Sequence, residues 1–427
     1  MRKTKIFSLF VASFLFFYSC TSTPELKPPT ETEKTPEIIT ENNKKTEAET
    51  PQITENSPTE KPAIEQKKTE SDSITLLFTG DLMAHNVNYQ ITSYSKIYRD
   101  VKFLLDRSDL TFANLEAPVD TTKNESSYPN FNMNQEYVEA AVDAGFDVFS
   151  LCNNHSNDQG LDGIKETIKT AENITKKYCE LGRNVYFSGL KEKTTDSYSY
   201  NVIEKNGWKI LFLPITEILN RPDYSKYINY TGVLENDRKI FVEYVKKLRE
   251  ENPCDLFVLS LHANEPEYTR NVTESQKKYY LELLDAGVDI LWCNHAHIIK
   301  DRQFIFDSEN GKQKMIMYAN GNVISGQRTK PDFNAKNPDY ERDNTGDGLF
   351  YFLTLKKNDL TGQIQIVKGE PFFVTTYINT AYEFVLKPMN EEFIDYLYDV
   401  PRKNWAEYIK KRIIINNRET KDLITWQ

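Results

Sequence analysis

The sequence predicts an α/β protein: layered β-sheets in a sandwich flanked by helices, with a β-rich C-terminal part and a helical tail. Two patterns carry this prediction. From residue 74 to residue 293, short apolar runs of strand type alternate with segments of helical periodicity, the order that packs sheets against helices. After Gly348 the runs become β-rich. A third observation locates a site. All five histidines, His85, His155, His262, His295 and His297, sit just beyond the ends of strand-like runs, and in open α/β sheets ligands bind outside the carboxyl ends of the strands.

Residues 74–79 form a short buried-type strand closed by Gly80-Asp81. Residues 97–106 read as a helix and 110–113 as a strand. Asn134 caps a helix through Tyr137, Val138, Ala141 and Val142, and Gly145 stops it. A strand over 146–152 follows. Leu161, Ile164, Ile168, Ala171, Ile174 and Tyr178 recur three and four residues apart, one apolar face of a helix. Strands at 210–215, 256–261 and 288–293 alternate with helices at 237–250 and 275–285. The runs 349–355, 364–367 and 372–377 make the β-rich part. From about residue 390 the chain is polar and helix-prone, with an apolar stripe at Phe393, Leu397, Trp405 and Ile409.

The N-terminus reads as an export signal. Arg2, Lys3 and Lys5 precede an apolar run over residues 6–18, too short for a comfortable membrane span. It ends Phe17-Tyr18-Ser19-Cys20, which resembles a bacterial lipoprotein signal whose cleavage leaves Cys20 lipidated. An ordinary secretory signal with an incidental cysteine is the alternative. Residues 21–73 are rich in Thr, Glu, Lys, Pro and Asn and have no aromatic residue; such a segment buries too little surface to offset its ordering entropy. The expected organisation is a signal peptide at 1–20, a disordered tether at 21–73, a main domain at 74–385 and a helical appendage at 386–427. A net charge of −10 argues against a nucleic-acid partner. With Cys20 set aside, Cys152, Cys179, Cys254 and Cys293 are too few for a disulfide scaffold; Cys152 and Cys293 end apolar runs and read as small buried hydrophobes.

Imidazole is the commonest metal ligand and the neutral-pH proton carrier. With Asp81, Glu116 and Asn154 at matching strand ends, the residue types suit a divalent-metal hydrolase site. Several of these residues have a plainer reading. Glu116 could instead be a buried carboxylate orienting a neighbouring backbone. Asp158 reads as the cap of the helix starting at Leu161, with Gly160 easing the turn, and Asn153 as a loop former.

Four segments together carry a resemblance: Gly80-Asp81-Leu82-Met83-Ala84-His85, Ala113-Asn114-Leu115-Glu116, Asn153-Asn154-His155-Ser156-Asn157-Asp158-Gln159-Gly160, and His262 followed by His295-Ala296-His297. Their order and spacing over residues 74–370 resemble the CapA-type bacterial capsule synthesis family, which is associated with poly-γ-glutamate and has a metallophosphoesterase (calcineurin-like) fold. The resemblance implies that Asp81 and His297 bind one metal, His262 and His295 a second, Glu116 bridges them, Asn154 is a further ligand, and His155 protonates the leaving oxygen. It implies two divalent ions of the Mn, Zn, Fe or Mg kind. Met83 stands where the wider fold carries the histidine of Asp-x-His; His85 is the substitute the sequence offers, and Glu267 is a further match. The implied function is synthesis, anchoring or trimming of a cell-surface polymer by metal-assisted hydrolysis or transfer, in a membrane-attached lipoprotein outside the cytoplasm. The polymer or its precursor, and membrane subunits of a capsule synthesis complex, are the implied partners. A polymer-binding or assembly subunit without turnover is the competing reading.

Overall fold

In the computed structural model, residues 72–426 are described apart from 309, 310 and 359. The expected signal peptide, Cys20 and the tether up to residue 71 lie outside them. The run beginning at Ile74 has apolar side chains on both faces, so it belongs inside a sheet that is covered on both sides. β1 (Ser73–Leu82) is flanked by β2 (Leu110–Leu115), in parallel, and by β12 (Asp347–Lys357), antiparallel. β3 (Val148–Ser150) and β4 (Tyr186–Ser188) extend this sheet in parallel beyond β2. β13 (Ile364–Ile378) and β14 (Phe384–Pro388) extend it antiparallel beyond β12, and β11 (Asn322–Ile324) pairs with the end of β1.

The second sheet runs, in spatial order, β15 (Asp422–Trp426), β9 (Arg302–Phe306), β10 (Gln313–Met317), β8 (Ile290–Asn294), β7 (Leu256–His262), β6 (Trp208–Thr216) and β5 (Asn201–Lys205). The two sheets face each other. Leu76, Phe78 and Phe112 of the first pack against Phe212, Val258, Trp292 and Met315 of the second. The alternate residues point outward, as the two-residue period of a strand requires. Leu77, Ala113 and Phe149 meet the helices Gln135–Ala144 and Gly160–Glu180, while Leu259, Leu291 and Ile316 meet Glu235–Glu251 and Glu274–Asp285. The result is the expected layered sandwich flanked by helices. The indole N–H of Trp292 donates to the carbonyl oxygen of Thr79 at 2.9 Å, tying one sheet to the other just below Gly80-Asp81.

Three expectations need correction. The helix over 97–106 is broken into Ser95–Tyr98, a 3-10 turn at Arg99–Val101 and Lys102–Leu105, although its apolar face stays buried. The two runs at 364–367 and 372–377 are one strand, β13. Pro371 is tolerated there because β14 covers only the part from Val374 onward, leaving the proline on an edge where no N–H is required. The segment 386–427 is not a helical appendage. Its helices Glu391–Asp399 and Lys403–Glu419 are present, but β14 straddles the expected boundary and the chain ends in β15, the edge strand of the second sheet. All the described residues fall in one compact unit. The four cysteines among the described residues are free, with Cys152 and Cys293 buried.

A buried ion network explains why the tail belongs to the main body. Asp347 at the start of β12 accepts from Arg328 Nη1 (3.0 Å) and Thr375 Oγ1 (3.1 Å) through one oxygen, and from Arg412 Nε (2.7 Å) and Asn416 Nδ2 (2.9 Å) through the other. Burial works to raise its pKa, but the two guanidiniums outweigh it and hold the carboxyl below the ordinary 3.8. A carboxyl depressed in the folded state contributes stability above its unfolded pKa and loses it as pH falls below about 4. Asp347→Asn leaves two buried guanidiniums without a counter-charge. It should cost roughly 3–5 kcal/mol in urea unfolding at neutral pH, and much less near the acid end of the wild-type transition. A neutral-pH loss under about 1 kcal/mol would show that the network does not hold the tail.

Candidate metal centre

The parallel pairings line up the carboxyl ends of the strands. Asp81 pairs with Asn114, Asn114 with Ser150, and His262 with Asn294. The loops that leave these positions carry Glu116, Asn154, His155, His295 and His297. At the end of β1 the pairing to β2 slips across Gly80, where a Cβ would meet the Gly321 carbonyl oxygen at 1.8 Å; only glycine permits that approach. Asp81 N–H then donates to this same oxygen at 2.9 Å, and the carboxylate turns into the site. His295 and His297 have φ of 102° and 56°, conformations that cost non-glycine residues roughly 1–3 kcal/mol each and that collect at functional sites.

Two buried groups of donors result. Glu116, His262 and His295 form one and Asp81, Glu116 and His297 the other, with one donor atom from each residue within 4.8 Å of the rest of its group. In the first group, His262 Nε2 lies 3.1 Å from His295 Nδ1, 2.9 Å from Asn154 Oδ1 and 3.8 Å from Glu116 Oε1. In the second, His297 Nδ1 is 3.2 Å from Asp81 Oδ2 and its Nε2 is 3.7 Å from Glu116 Oε1. Donors about 2.1 Å from one ion stand roughly 3.0–3.4 Å apart, close to this spacing. Glu116 belongs to both groups. Its Oε1 is buried with no hydrogen-bond partner, and its other oxygen takes only Asn114 Nδ2 at 3.3 Å. It accepts no backbone N–H among the described residues, which removes the reading of Glu116 as a backbone organiser.

The electrostatics of Glu116, His262 and His295 point the same way. Burial, followed by the neighbouring carboxylates Asp81 and Glu267, holds the Glu116 carboxyl well above its ordinary pKa; a cation beside it reverses both penalties. Burial and the other histidines keep His262 neutral, with its pKa well below 6.5, and burial pushes His295 down to about 4. Neutral imidazole is the ligating form. Burial opposes a charge on His297 too, but Asp81 and Asn322 outweigh it and raise its pKa. These oxygen and imidazole donors fit divalent metal ions.

His155 stands apart from both groups. Its Nδ1 is 2.7 Å from Asp158 Oδ2, and its ring meets Phe131 edge-on at 4.7 Å. The helix-cap reading of Asp158 is therefore wrong. The capping position of the helix Gly160–Glu180 is Gln159, without a side-chain bond, and the Asp158 carboxylate is spent on His155 and the Phe131 N–H. Gly160, with φ of 71°, makes the turn as expected. Asn153 organises the loop, donating to the Leu115 carbonyl and accepting from His155 N–H.

His85 joins neither donor group: its Nδ1 accepts from Gly326 N–H at 3.0 Å, and burial pushes its pKa to about 3. Met83 is buried and offers only thioether and backbone, so the Asp81 group has no fourth side chain at that position. His85, Glu267, His155, His297 and Met83 share the lining of one cavity of about 440 Å3. A larger cavity, about 590 Å3, lies by the helix Gly160–Glu180 and β4 and contains none of these residues.

Three asparagines escaped the sequence reading. Asn114 donates to Asp81 Oδ1 at 2.8 Å and contacts Glu116 and His262. Asn322 Oδ1 holds His297 Nδ1 at 3.0 Å. Asn220 accepts from Asn154 and lies against both ring nitrogens of His155. Partners that orient ligands tune metal sites nearly as much as the ligands do. Asn114 lies inside the segment Ala113-Asn114-Leu115-Glu116, and Gly321-Asn322 is a further match to the same family, so both offered a usable signal. Asn220 comes from an unpatterned loop and gave none.

The model of the bacterial capsule synthesis protein family, PGA_cap, matches residues 75–327. The capsule biosynthesis protein CapA of Bacillus anthracis is 28% identical over 281 residues, covering 62% of this chain and 63% of that protein. The PGA biosynthesis protein CapA of Bacillus subtilis strain 168 is 27% identical over 267 residues, covering 61% and 66%. The chain thus spans slightly less than two thirds of these relatives' length. Among solved structures, a phosphatase from Mycoplasma pneumoniae overlaps 71% of this chain and 94% of its own with TM-score 0.42 at 16% identity. A calcineurin-like phosphoesterase from Bacillus subtilis overlaps 79% and 99% with TM-score 0.37 at 12% identity. At these scores neither structure bears on activity. The family match covers more than half of the chain and contains every residue of the two donor groups: the chain belongs to the bacterial capsule synthesis protein family of the CapA type.

Proposed function

We propose that this protein acts in making, anchoring or trimming a cell-surface polymer, of which poly-γ-glutamate is one candidate, by metal-assisted hydrolysis or transfer. The capsule and PGA biosynthesis roles carried in the names of its relatives support the setting. The single observation that carries the chemistry is Glu116, shared by two buried donor groups beside the His155–Asp158 pair. Asp81 and His297 would hold one ion, His262, His295 and Asn154 a second, with Glu116 between them. Ions of the Mn, Zn, Fe or Mg kind bound there supply charge at the attacking and leaving oxygens of an in-line displacement. Asp158 fixes the His155 ring through Nδ1, and Nε2, 3.3 Å from Asn220 Nδ2, would deliver the proton to the leaving oxygen.

The second reading, a polymer-binding or assembly subunit without turnover, has one observation in its favour. Met83 occupies the position at which the wider fold places a ligating histidine, and His85 is engaged elsewhere.

Metal analysis after dialysis against Mn2+ should give about two ions per chain for wild type and about one for His297→Ala. Full occupancy in that variant refutes the ligand assignment. His155→Ala should keep both ions while losing roughly 10²–10⁴-fold in phosphodiester turnover. A wild type that binds the ions and turns over no ester or amide supports the assembly reading.

We also propose that the protein works outside the cytoplasm, held to a membrane by lipid on Cys20 and meeting membrane subunits of a capsule complex there. The basic and apolar N-terminal sequence supports this. Cys20→Ala should move the protein out of the membrane fraction; unchanged retention rules out the lipid anchor.

A further inference from the structure

The 440 Å3 cavity brings His155 and His297 into one lining with Glu267, Tyr268, Gln327 and Arg342. Among the described arginines, all but Arg342 and Arg402 pair with a carboxylate. Arg402 is used by the Ile378 carbonyl and lies in a different cavity. Arg342 therefore is the cation of the site cavity that has no ion-pair partner among the described residues. Its guanidinium lies 4.9 Å over the Tyr268 ring and donates to the Tyr268 hydroxyl at 3.3 Å. That contact uses one Nη and leaves the rest of the planar fork for a ligand.

Tyr268 connects the fork to further side chains. Gln327 Nε2 also reaches the Tyr268 hydroxyl, at 3.5 Å, and Gln327 Oε1 accepts from Asn322 Nδ2 at 2.8 Å. Asn322 in turn holds His297. A continuous chain of contacts thus connects Arg342 to a residue of the donor groups. Glu267 lines the same cavity and forms no ion pair with the cation. With one guanidinium and a carboxylate nearby, the wall suits a single acidic group rather than a polyanionic tract.

We propose that Arg342 binds an acidic group of the substrate, a carboxylate or phosphate, set a short distance from the bond that is cleaved at the metal centre. A planar guanidinium takes either group through two parallel N–H donors. The inference rests on the hydrolase reading of the same cavity and supplies the substrate class that reading lacks: an ester or amide carrying a second negative charge.

The test compares 4-nitrophenyl phosphodiesters whose second arm ends in a carboxylate, in its methyl ester, or in a phosphomonoester. With Mn2+-loaded protein, Arg342→Ala should raise KM for the acidic diesters roughly tenfold, leaving the methyl ester and kcat within about twofold. Whichever of the carboxylate and phosphate arms loses more identifies the natural group. An equal change for acidic and neutral arms, or none, overturns the proposal. Calorimetric binding of the same compounds to the His155→Ala protein needs no turnover. There the acidic arms should bind roughly tenfold tighter than the methyl ester, and adding Arg342→Ala should erase that preference. If wild type hydrolyses none of the diesters, phosphodiester hydrolysis is excluded, and calorimetry still decides the role of Arg342. A preference that survives Arg342→Ala, or one absent from the parent, removes the subsite. The Arg342 side chain is exposed, so replacing it should leave melting and metal content unchanged.

Discussion

Glu116 is a carboxylate at full burial, pressed toward protonation by burial and by Asp81, with one oxygen that no hydrogen bond reaches. Left to itself, such a group is a liability to the fold, because a buried charge without counter-charge or donors costs several kcal/mol. The surrounding chain makes sense as an answer to that liability. Three imidazoles and a second carboxylate are arranged so that positive charge placed on either side of Glu116 finds further donors. His262 and His295 are kept neutral by the same burial that penalises Glu116, so one physical condition, exclusion of water, prepares acceptors and ligands together.

The two sheets exist to make this meeting possible. Asp81 and Glu116 come from the first sheet and His262 and His295 from the second. Their relative placement is fixed where Trp292 bonds Thr79 across the sandwich. The cost of the arrangement is visible in the backbone: a glycine pressed onto the Gly321 carbonyl and two histidines at positive φ. Neither is needed for a stable sandwich. Both aim side chains at one point.

Much of this was legible before any coordinates. Runs buried on both faces gave the central strands, because Leu76, Leu77 and Phe78 leave no polar face to put in water. The histidine positions gave the convergence, because parallel strands bring their carboxyl ends to one edge. Elements whose burial depends on a distant partner were not legible. β15 carries Asp422, Leu423 and Ile424, all exposed, and is a strand only because β9 offers it an edge. Asp158 looked like a helix cap because it precedes a helix; its actual partners are the His155 ring and the Phe131 N–H, the latter 27 residues away in sequence. Asn220 reaches Asn154 and His155 from an unpatterned loop, where local sequence says nothing about direction.

The central proposal is that Glu116 would lie between two cations. Anomalous diffraction from crystals of the protein equilibrated with Mn2+ tests it most directly. The account predicts two peaks roughly 3.5–4 Å apart, one on each side of the Glu116 carboxylate. A single peak, or peaks that leave Glu116 uncoordinated, would contradict it.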